Sequence, residues 1–381
     1  MNLPLIGLII RRERLKRNWS QEGLCKGICA VSYLSKIEQG QANPSPEMVQ
    51  ALFDRLRIAW LQDENRLAAL SALVERGYEA FFAGDEEESA LVHEEMNALY
   101  EEALNSPYRP DTLLFLEKEM DSAYLPLMSL RQKTLWLINQ DLCEEAININ
   151  PIAACYASAG GAAYSKGEYV QAIPHLQRAY DLAARDGLVY IMMHAAVLLG
   201  NCYSDMLSFD EMAAHYQVAR RLAKAVNNAA LSDTIAYNTA ATQLEVGKTR
   251  QAYDYFSTLP DPTTGSLHKL AICCEKLGKK EEAFAALKKL KTAPPSYPDR
   301  DFWRKLCEPV HYRLTHPDYL KHEAYGTLLL NCFQFIRKNI TSGYATFHLP
   351  WVLEWYKATR QYKQAYELLL DFPSYSALTN T

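Results

Sequence analysis

Apolar residues recur every three or four positions through most of this chain, and no stretch shows the alternation that is typical of strands. Residues 8–17 predict a first helix whose apolar face carries Leu8, Ile9 and Leu15. Ser20 is placed to cap a second helix, because a serine side chain can accept from the unpaired amides of a first turn. The pattern predicts an all-α protein that begins with short, closely spaced helices.

Two more helices complete this N-terminal group. Residues 30–39 predict a third helix that directs Leu34 and Ile37 inward and ends at Gly40, where a left-handed C-cap costs little. Pro46 introduces a fourth helix, since proline is favoured in a first helical turn. The first 60 residues therefore predict a helix-turn-helix domain.

The rest of the chain repeats a pattern of paired helices. Four of the six units have a small residue on the first helix, three of these also have a glycine at the turn, and the second helices carry small or bulky apolar residues. The landmarks of successive units are Gly160, Gly167, Ala172, Leu176 and Ala179, then Gly200, Tyr203, Tyr216 and Ala219, then Ala240, Gly247, Ala252 and Phe256, then Ala271, Gly278, Ala283 and Leu287, then a weak unit at Tyr312, Ala324 and Leu328, and finally Leu353, Tyr356, Ala365 and Leu369.

These units resemble tetratricopeptide (TPR) repeats, in which small residues at fixed places let paired helices approach closely. Residues 65–150 predict two or three degenerate pairs, with Gly77, Gly84 and Ala146 as landmarks. We therefore expect a helix-turn-helix domain over 1–60, a linker helix over 61–75 and a right-handed TPR superhelix over 76–381, with a concave groove lined by the first helix of each pair.

Composition agrees with a folded cytoplasmic protein. Of 381 residues, 49% are hydrophobic and 22% are charged. The apolar opening "MNLPLIGLII" is too short to span a membrane, and its basic cluster follows it, so it predicts neither a span nor a signal peptide. The nine cysteines are predicted to be buried thiols and not a metal site, and they are Cys25, Cys29, Cys143, Cys155, Cys202, Cys273, Cys274, Cys307 and Cys332.

Charge is distributed unevenly between the two parts. Residues 1–60 hold nine Lys/Arg and five Asp/Glu, a net of +4, whereas the remainder holds 31 and 40, a net of −9, which together give −5. A basic domain attached to an acidic one indicates that the N-terminal part alone meets a polyanion.

The N-terminal motifs "SQEGL", "SYLSKIEQG" and "PSPEMVQAL" resemble the Cro-type (XRE) helix-turn-helix, over residues 5–60. The resemblance implies that the third helix enters the major groove of double-stranded DNA. It also implies a buried ion pair between Arg14 and Glu38. The implied DNA-binding residues are Gln21, Val31, Ser32, Tyr33 and Lys36. The alternatives are that these are ordinary surface residues, and that the domain makes only protein contacts.

The repeat register predicts a ligand site in the groove. Asn201, Asn238 and Lys269 fall at inward-facing slots of successive repeats. A side-chain amide offers both an acceptor and donors, so it can replace a strand partner for an extended peptide. The alternative is that the asparagines bond neighbouring loops. Further groove candidates are Tyr164, His194, Tyr203, Tyr237 and His268.

Nothing in the sequence favours catalysis. The chain has no P-loop, no H-E-x-x-H, no G-x-S-x-G and no glycine-rich dinucleotide turn. The histidines are scattered at ordinary helical positions, and the acidic segment from Asp85 to Glu95 is best explained as a solvated helix N-terminus. We expect neither an enzyme nor a cofactor.

The combination of an XRE domain with TPR repeats resembles the RNPP family of cytoplasmic peptide-pheromone receptors over nearly the whole chain. The resemblance implies a quorum-sensing transcription factor, a homodimer switched by a short oligopeptide. The C-terminal aromatic residues offer either a dimer surface or a seal for the end of the array, and they are Trp351, Trp355, Tyr356 and Tyr362. Two alternatives remain: a Rap-like protein that sequesters a response regulator, and a mobile-element repressor that decides between lysis and dormancy.

Overall fold

The computed structural model describes residues 3–206, 208–292, 300–339 and 342–372. All regular secondary structure in these ranges is helical, which confirms the predicted all-α class. The chain divides into two compact units. Unit 1 comprises residues 1–159 and 178–191, and unit 2 comprises residues 160–177 and 192–381.

Unit 1 holds the N-terminal helices. They are α1 (Leu3–Lys16), α2 (Gln21–Cys25), α3 (Val31–Glu38), α4 (Pro46–Leu56), α5 (Glu64–Ala83), α6 (Glu86–Ala98), α7 (Tyr100–Leu104), α8 (Arg109–Phe115), α9 (Leu130–Asn139) and α10 (Cys143–Ile149), with a 3₁₀ helix at Ser122–Leu127. Three helices belong partly to each unit, and they are α11 (Ala153–Ser165), α12 (Tyr169–Asp186) and α13 (Val189–Asp205). The boundary predicted between a linker and the repeats at residue 75 lies inside α5.

The first four helices form the predicted helix-turn-helix. The Ser20 hydroxyl accepts from the amide of Gly23 at 2.9 Å, so it caps α2 as expected. Leu34 and Leu52 are fully buried in the shared core. The apolar face of α1 differs from the prediction, because Leu15 is 52% exposed and Leu8 is only partly buried. Of the predicted residues only Ile9 is buried, and the buried stripe consists of Leu5, Ile6, Ile9 and Ile10.

Residues from beyond the linker complete the core of this domain. Tyr124 in the 3₁₀ helix and Met128 after it are buried in the same apolar cluster as α1 to α4. Arg12 of α1 forms an ion pair with Asp121, next to that helix. The helix-turn-helix domain is therefore packed against residues 121–128 within unit 1, and residues 1–60 alone do not contain its whole core.

Unit 2 consists of successive helix pairs. Its remaining helices are α14 (Phe209–Ala225), α15 (Ala229–Glu245), α16 (Thr249–Thr258), α17 (Thr264–Lys276), α18 (Lys280–Thr292), α19 (Arg300–Thr315), α20 (Glu323–Asn339), α21 (Ser342–Ala358) and α22 (Tyr362–Leu370), with a 3₁₀ helix at Tyr319–Lys321. Gly167, Gly247 and Gly278 have positive φ at the turns, where the repeat register places them. TPR-like pairing is thus confirmed.

Close helix approach explains the small residues of the register. A Cβ on Gly160 would lie 2.6 Å from Leu176, and one on Gly200 would collide with the ring of Tyr216. Gly160 and Gly200 are thus at close-approach positions, as the sequence predicts. In the weak unit the prediction is wrong, because Ala324 is exposed and the close approach is made by Gly326 against Trp355. The close approach there again sets a glycine against a bulky side chain, but at a position that the register did not predict.

The described residues also test two predictions from composition. Eight of the nine cysteines are buried, and Cys29 is partly buried. In the part of the chain that the structure describes, no helix has the length and apolar character required to cross a membrane.

Candidate DNA-binding and ligand-binding sites

The predicted reading helix begins at Val31. Ala30 is its N-cap residue, and the preceding turn passes through Gly27 at φ +76°, a conformation that favours glycine. Val31 is 42% exposed, and Ser32 and Lys36 are also exposed. These three side chains therefore stand on the open face of α3, where a DNA groove can meet them.

A buried ion pair fixes α3 against α1. The guanidinium of Arg14 donates to both carboxylate oxygens of Glu38, from Nε at 2.6 Å and from a terminal nitrogen at 2.8 Å. Its other terminal nitrogen donates to the carbonyl oxygen of Trp19 at 2.8 Å. The close carboxylate raises the pKa of Arg14. The partners that the resemblance implies therefore lie together, and they hold the reading helix in one orientation.

Two of the implied DNA-binding residues make internal bonds. Gln21 donates from Nε2 to Glu38 at 2.8 Å, so it supports the ion pair. Tyr33 is partly buried, and its hydroxyl donates to the carbonyl oxygen of Asn43 at 3.1 Å. Both side chains therefore brace the elements around α3.

In unit 2 the structure brings five of the predicted ligand residues to one place. They line a cavity of about 200 Å³, which we call the asparagine cavity. Its predicted members are Tyr164, Asn201, Tyr237, Asn238 and Lys269, and its other members are Ser204, Asp205, Tyr216, Ala241, Thr242, Glu245, Tyr344 and Phe347. Because these residues come from six helices, the site exists only in the folded unit.

The two asparagines bond each other across successive repeats. Asn238 donates from Nδ2 to Asn201 Oδ1 at 3.3 Å, and the hydroxyl of Tyr216 donates to the same oxygen at 2.6 Å. The alternative of bonds to neighbouring loops is not what the described residues show. The Asn201 amide donors and the Asn238 carbonyl oxygen are not used in these bonds, so both remain available to a ligand.

Three predicted residues do not line the asparagine cavity. His194 is exposed, and Tyr203 stacks on His215 with ring centroids 5.3 Å apart. His268 is fully buried and stacks against His348 at 5.7 Å, and burial lowers its pKa. The prediction used the helical register alone, which gives the side of the helix but not the depth of each side chain.

Lys269 lines the asparagine cavity but is only 4% exposed. Its Nζ lies 2.8 Å from the centroid of the Phe347 ring, and burial lowers its pKa to about 7. A buried ammonium against an aromatic face is held by cation–π attraction. The structure therefore places Lys269 in the wall of the cavity, with its charge directed at a ring.

The sequence reasoning missed several lining residues. Asp205 and Glu245 follow Gly200 and Ala240 by the same five positions, so the repeat register carries a signal for them. Tyr344 and Phe347 come from α21, far along the chain, and no local pattern indicates that this helix reaches the cavity. Long-range packing within unit 2 supplies them.

A second, larger cavity shares part of this wall. It has a volume of about 440 Å³, and Glu245 and Phe347 line both cavities. In it, Arg313 donates twice to Glu275 at 2.6 Å and lies over the ring of Trp351 at 3.9 Å. The two cavities are therefore neighbours within unit 2, on either side of Glu245 and Phe347.

The C-terminal aromatic residues have divided roles. Trp355 is buried against Gly326, and Trp351 contacts Arg313, so both belong to the packing at the end of the array. Tyr356 is partly buried, whereas Tyr362 is 63% exposed. Of the four, only Tyr362 stands free for the dimer surface that the sequence offers as an alternative.

Comparison with known proteins supports the N-terminal assignment. The helix-turn-helix family model HTH_3 matches residues 10–60, which confirms that domain. No curated protein gave a significant match.

Two solved structures are similar to the chain. PlcR of Bacillus thuringiensis, in complex with the peptide PapR7 and DNA, is 14% identical with a TM-score of 0.32, and the match covers 75% of this chain and 99% of PlcR. ComR of Streptococcus suis is 12% identical with a TM-score of 0.29, and the match covers 77% and 96%. These structural neighbours are of the RNPP kind that the sequence resembles. At such TM-scores the likeness does not determine what this chain binds.

Proposed function

We propose that this chain is a cytoplasmic transcription factor that reads double-stranded DNA through α3 and is switched by a short oligopeptide. The peptide binds in the asparagine cavity and its extension along α15, α17 and α21. The observation that carries the proposal is the convergence of five register-predicted side chains on one cavity, in a chain whose first domain is a helix-turn-helix.

The DNA half of the proposal is supported by the open face of α3. Lys36 is suited to donate to guanine O6 and N7, Ser32 to hydrogen-bond either type of base edge, and Val31 to contact a thymine methyl group. The buried Arg14 and Glu38 pair presents these side chains on a fixed helix. The net charge of +4 over residues 1–60 adds attraction to phosphate.

Selection from random duplex DNA by the full-length chain tests this half. Wild type is expected to select a defined site, and the Ser32→Ala, Lys36→Ala double variant is expected to lose about 1 to 3 kcal/mol of discrimination per base contact. Lys357→Ala is the matched control, since it removes an exposed lysine from α21. A wild type that selects no sequence, or a double variant that selects the same site equally well, would contradict the assignment.

The ligand half is supported by polar groups on successive repeats. Asn201 and Asn238 already bond each other, and each keeps hydrogen-bonding capacity toward the cavity. A peptide of six or seven residues spans roughly 20 Å when extended, at about 3.3 Å per residue. Each amide bond to such a backbone contributes about 0.5 to 1.5 kcal/mol.

A library of synthetic heptapeptides, captured on the full-length chain and identified by mass spectrometry, tests the ligand half. The Asn201→Ala, Asn238→Ala variant is expected to bind the selected peptides roughly ten- to a hundredfold more weakly in calorimetric titration, with unchanged helical content. Asn331→Ala, which changes an exposed amide on α20, is the control. Failure of wild type to retain any peptide would remove the receptor proposal, and equal affinities would place the ligand elsewhere.

We also propose that the functional form is a homodimer. A single helix-turn-helix contacts few base pairs, so specificity requires two heads on half-sites about one helical turn, or a multiple, apart. Sedimentation of the full-length chain at micromolar concentration, with and without the selected duplex, measures this. A monomeric mass under both conditions would exclude the dimer.

A further inference from the structure

Two carboxylates occupy equivalent places in successive repeats. Asp205 is the last residue of α13 and Glu245 is the last residue of α15, forty positions later. Each follows the small residue of its repeat, Gly200 or Ala240, by five positions. The repeat geometry therefore brings both acids to the same wall, and both line the asparagine cavity.

One of these acids has an unused oxygen. Asp205 Oδ2 is buried and has no hydrogen-bond partner. Hydrogen bonds from Tyr169 and Tyr164 hold the carboxylate in place, while burial raises its pKa to about 6. A buried carboxylate oxygen without a partner costs free energy, and a ligand that donates to it removes that cost.

The second acid is also poorly compensated. Among the described residues, the charges that act on the Glu245 carboxyl do so without a hydrogen bond to it. Burial and the charge of Asp205 both raise the pKa of Glu245, which reaches about 8, although Lys269 and Lys276 act in the opposite direction. Ionisation of each acid is thus disfavoured by its burial and by the other acid, and a cationic group beside them would favour their charged forms.

The surroundings make the region more attractive to a cation. Both acids lie at helix C-termini, where the helix dipole adds negative potential. Four tyrosines line the same cavity, and aromatic faces attract cations. They are Tyr164, Tyr216, Tyr237 and Tyr344. The one lysine in the wall, Lys269, directs its Nζ at the Phe347 ring.

We propose that Asp205 and Glu245 form a subsite for a cationic group of the bound peptide, either its free N-terminal ammonium or a lysine or arginine side chain. This inference rests on the proposed function and specifies the chemistry of its ligand. In the wall of the asparagine cavity these two acids stand with one lysine, Lys269.

A heptapeptide library in matched forms tests the subsite on the full-length chain. One arm has free N-termini and the other is N-acetylated, and in each arm lysine and arginine are either present or replaced by glutamine. Captured peptides are identified by mass spectrometry. We expect wild type to enrich peptides with a positive group about tenfold or more over neutral ones, because a hydrogen bond to a buried charge is stronger than a neutral one.

Three variants complete the experiment. Asp205→Asn and Glu245→Gln each keep the side-chain shape and are expected to abolish the enrichment while neutral peptides are still captured. Asp233→Asn, which changes an exposed acid on α15, is expected to keep it. The acetylated arm distinguishes the two cations, since loss of enrichment there assigns the subsite to the N-terminal ammonium and its persistence assigns it to a side chain.

The outcomes separate this inference from the proposed function. Capture of peptides without preference for positive charge, or a preference that both substitutions leave intact, would overturn the subsite while the receptor proposal stands. If neither arm yields any captured peptide, the receptor proposal fails and the subsite fails with it. Melting curves of each variant confirm that it is folded.

Discussion

Removal of the Glu38 carboxylate tests how the reading helix is held. Glu38 is 6% exposed and accepts three hydrogen bonds, two from Arg14 and one from Gln21, at 2.6 to 2.8 Å. In Glu38→Ala, the Arg14 guanidinium would remain buried with only its bond to the Trp19 carbonyl oxygen. The substitution thus leaves an uncompensated charge inside the helix-turn-helix core.

The expected cost follows from that charge. Removing one partner of a buried pair typically destabilises by about 3 to 5 kcal/mol, which is more than the pair contributes relative to apolar residues of the same size. At 1.4 kcal/mol per factor of ten, the opening of α1 and α3 should become roughly a hundred to several thousand times more favourable. Replacing both partners, as in Arg14→Met with Glu38→Leu, should recover most of this loss.

Hydrogen exchange of the full-length chain, followed by mass spectrometry, measures the effect. Peptides from α1 and α3 are expected to exchange faster by the factor above in Glu38→Ala, and those from unit 2 are expected to be unchanged. Glu22→Ala is the matched control, because Glu22 is an exposed acid on α2. Such surface changes usually alter stability by no more than about 0.5 kcal/mol.

Two results would refute the reasoning. If Glu38→Ala exchanges within about twofold of Glu22→Ala, the ion pair does not hold α3. If the double variant is as unstable as Glu38→Ala, the loss comes from packing and not from an uncompensated charge.

Two further predictions concern other parts of the chain. Tyr124→Ala should speed hydrogen exchange of α1 to α4, since it empties a buried place in their core and large-to-small changes of aromatic residues cost about 3 to 5 kcal/mol, whereas Leu130→Ala, at a residue 54% exposed, should not. For Asp205, burial raises the folded pKa to about 6 from 3.8, so its contribution to stability is present below pH 3.8 and is lost as the pH rises through 6. Asp205→Asn should therefore have nearly the wild-type free energy of unfolding at pH 4 and a larger one at pH 7.5, by an amount on the order of 1 to 3 kcal/mol, with a correspondingly higher melting temperature. An equal difference between the two proteins at both pH values would show that the pKa of the carboxylate is not perturbed.

The repeat register determined much of the fold from sequence. Glycine at close-approach and turn positions has few substitutes, so Gly160, Gly200 and Gly167 identified helix pairs directly. The register failed at Ala324, which is exposed, whereas Gly326 makes the close approach, against the ring of Trp355. In a degenerate repeat a pattern of small residues thus indicates a helix pair but does not fix which position makes the close contact.

Local helical patterns also predicted the exposed face of α3 and five of the thirteen residues that line the asparagine cavity. Val31, Ser32 and Lys36 are exposed on α3, since a helix with an apolar stripe has a defined open face. Asn201 and Asn238 reach the asparagine cavity because successive repeats present the same slot to the groove. The slot in a repeat does not show how deeply a side chain is buried, so the sequence did not predict the burial of His268 and Lys269.

What the sequence by itself determined is therefore what depends on neighbours within one or two helices: the helix class, the caps, the turns and, outside α1 and the degenerate repeat at Ala324, the side of a helix that faces inward. Only the tertiary structure decided which distant elements share a core or a cavity. Tyr124 and Met128 enter the core of the helix-turn-helix, and Tyr344 and Phe347 close the asparagine cavity. Such contacts follow from the packing of whole units, since the burial of apolar surface is not directional and leaves no periodic mark in the sequence.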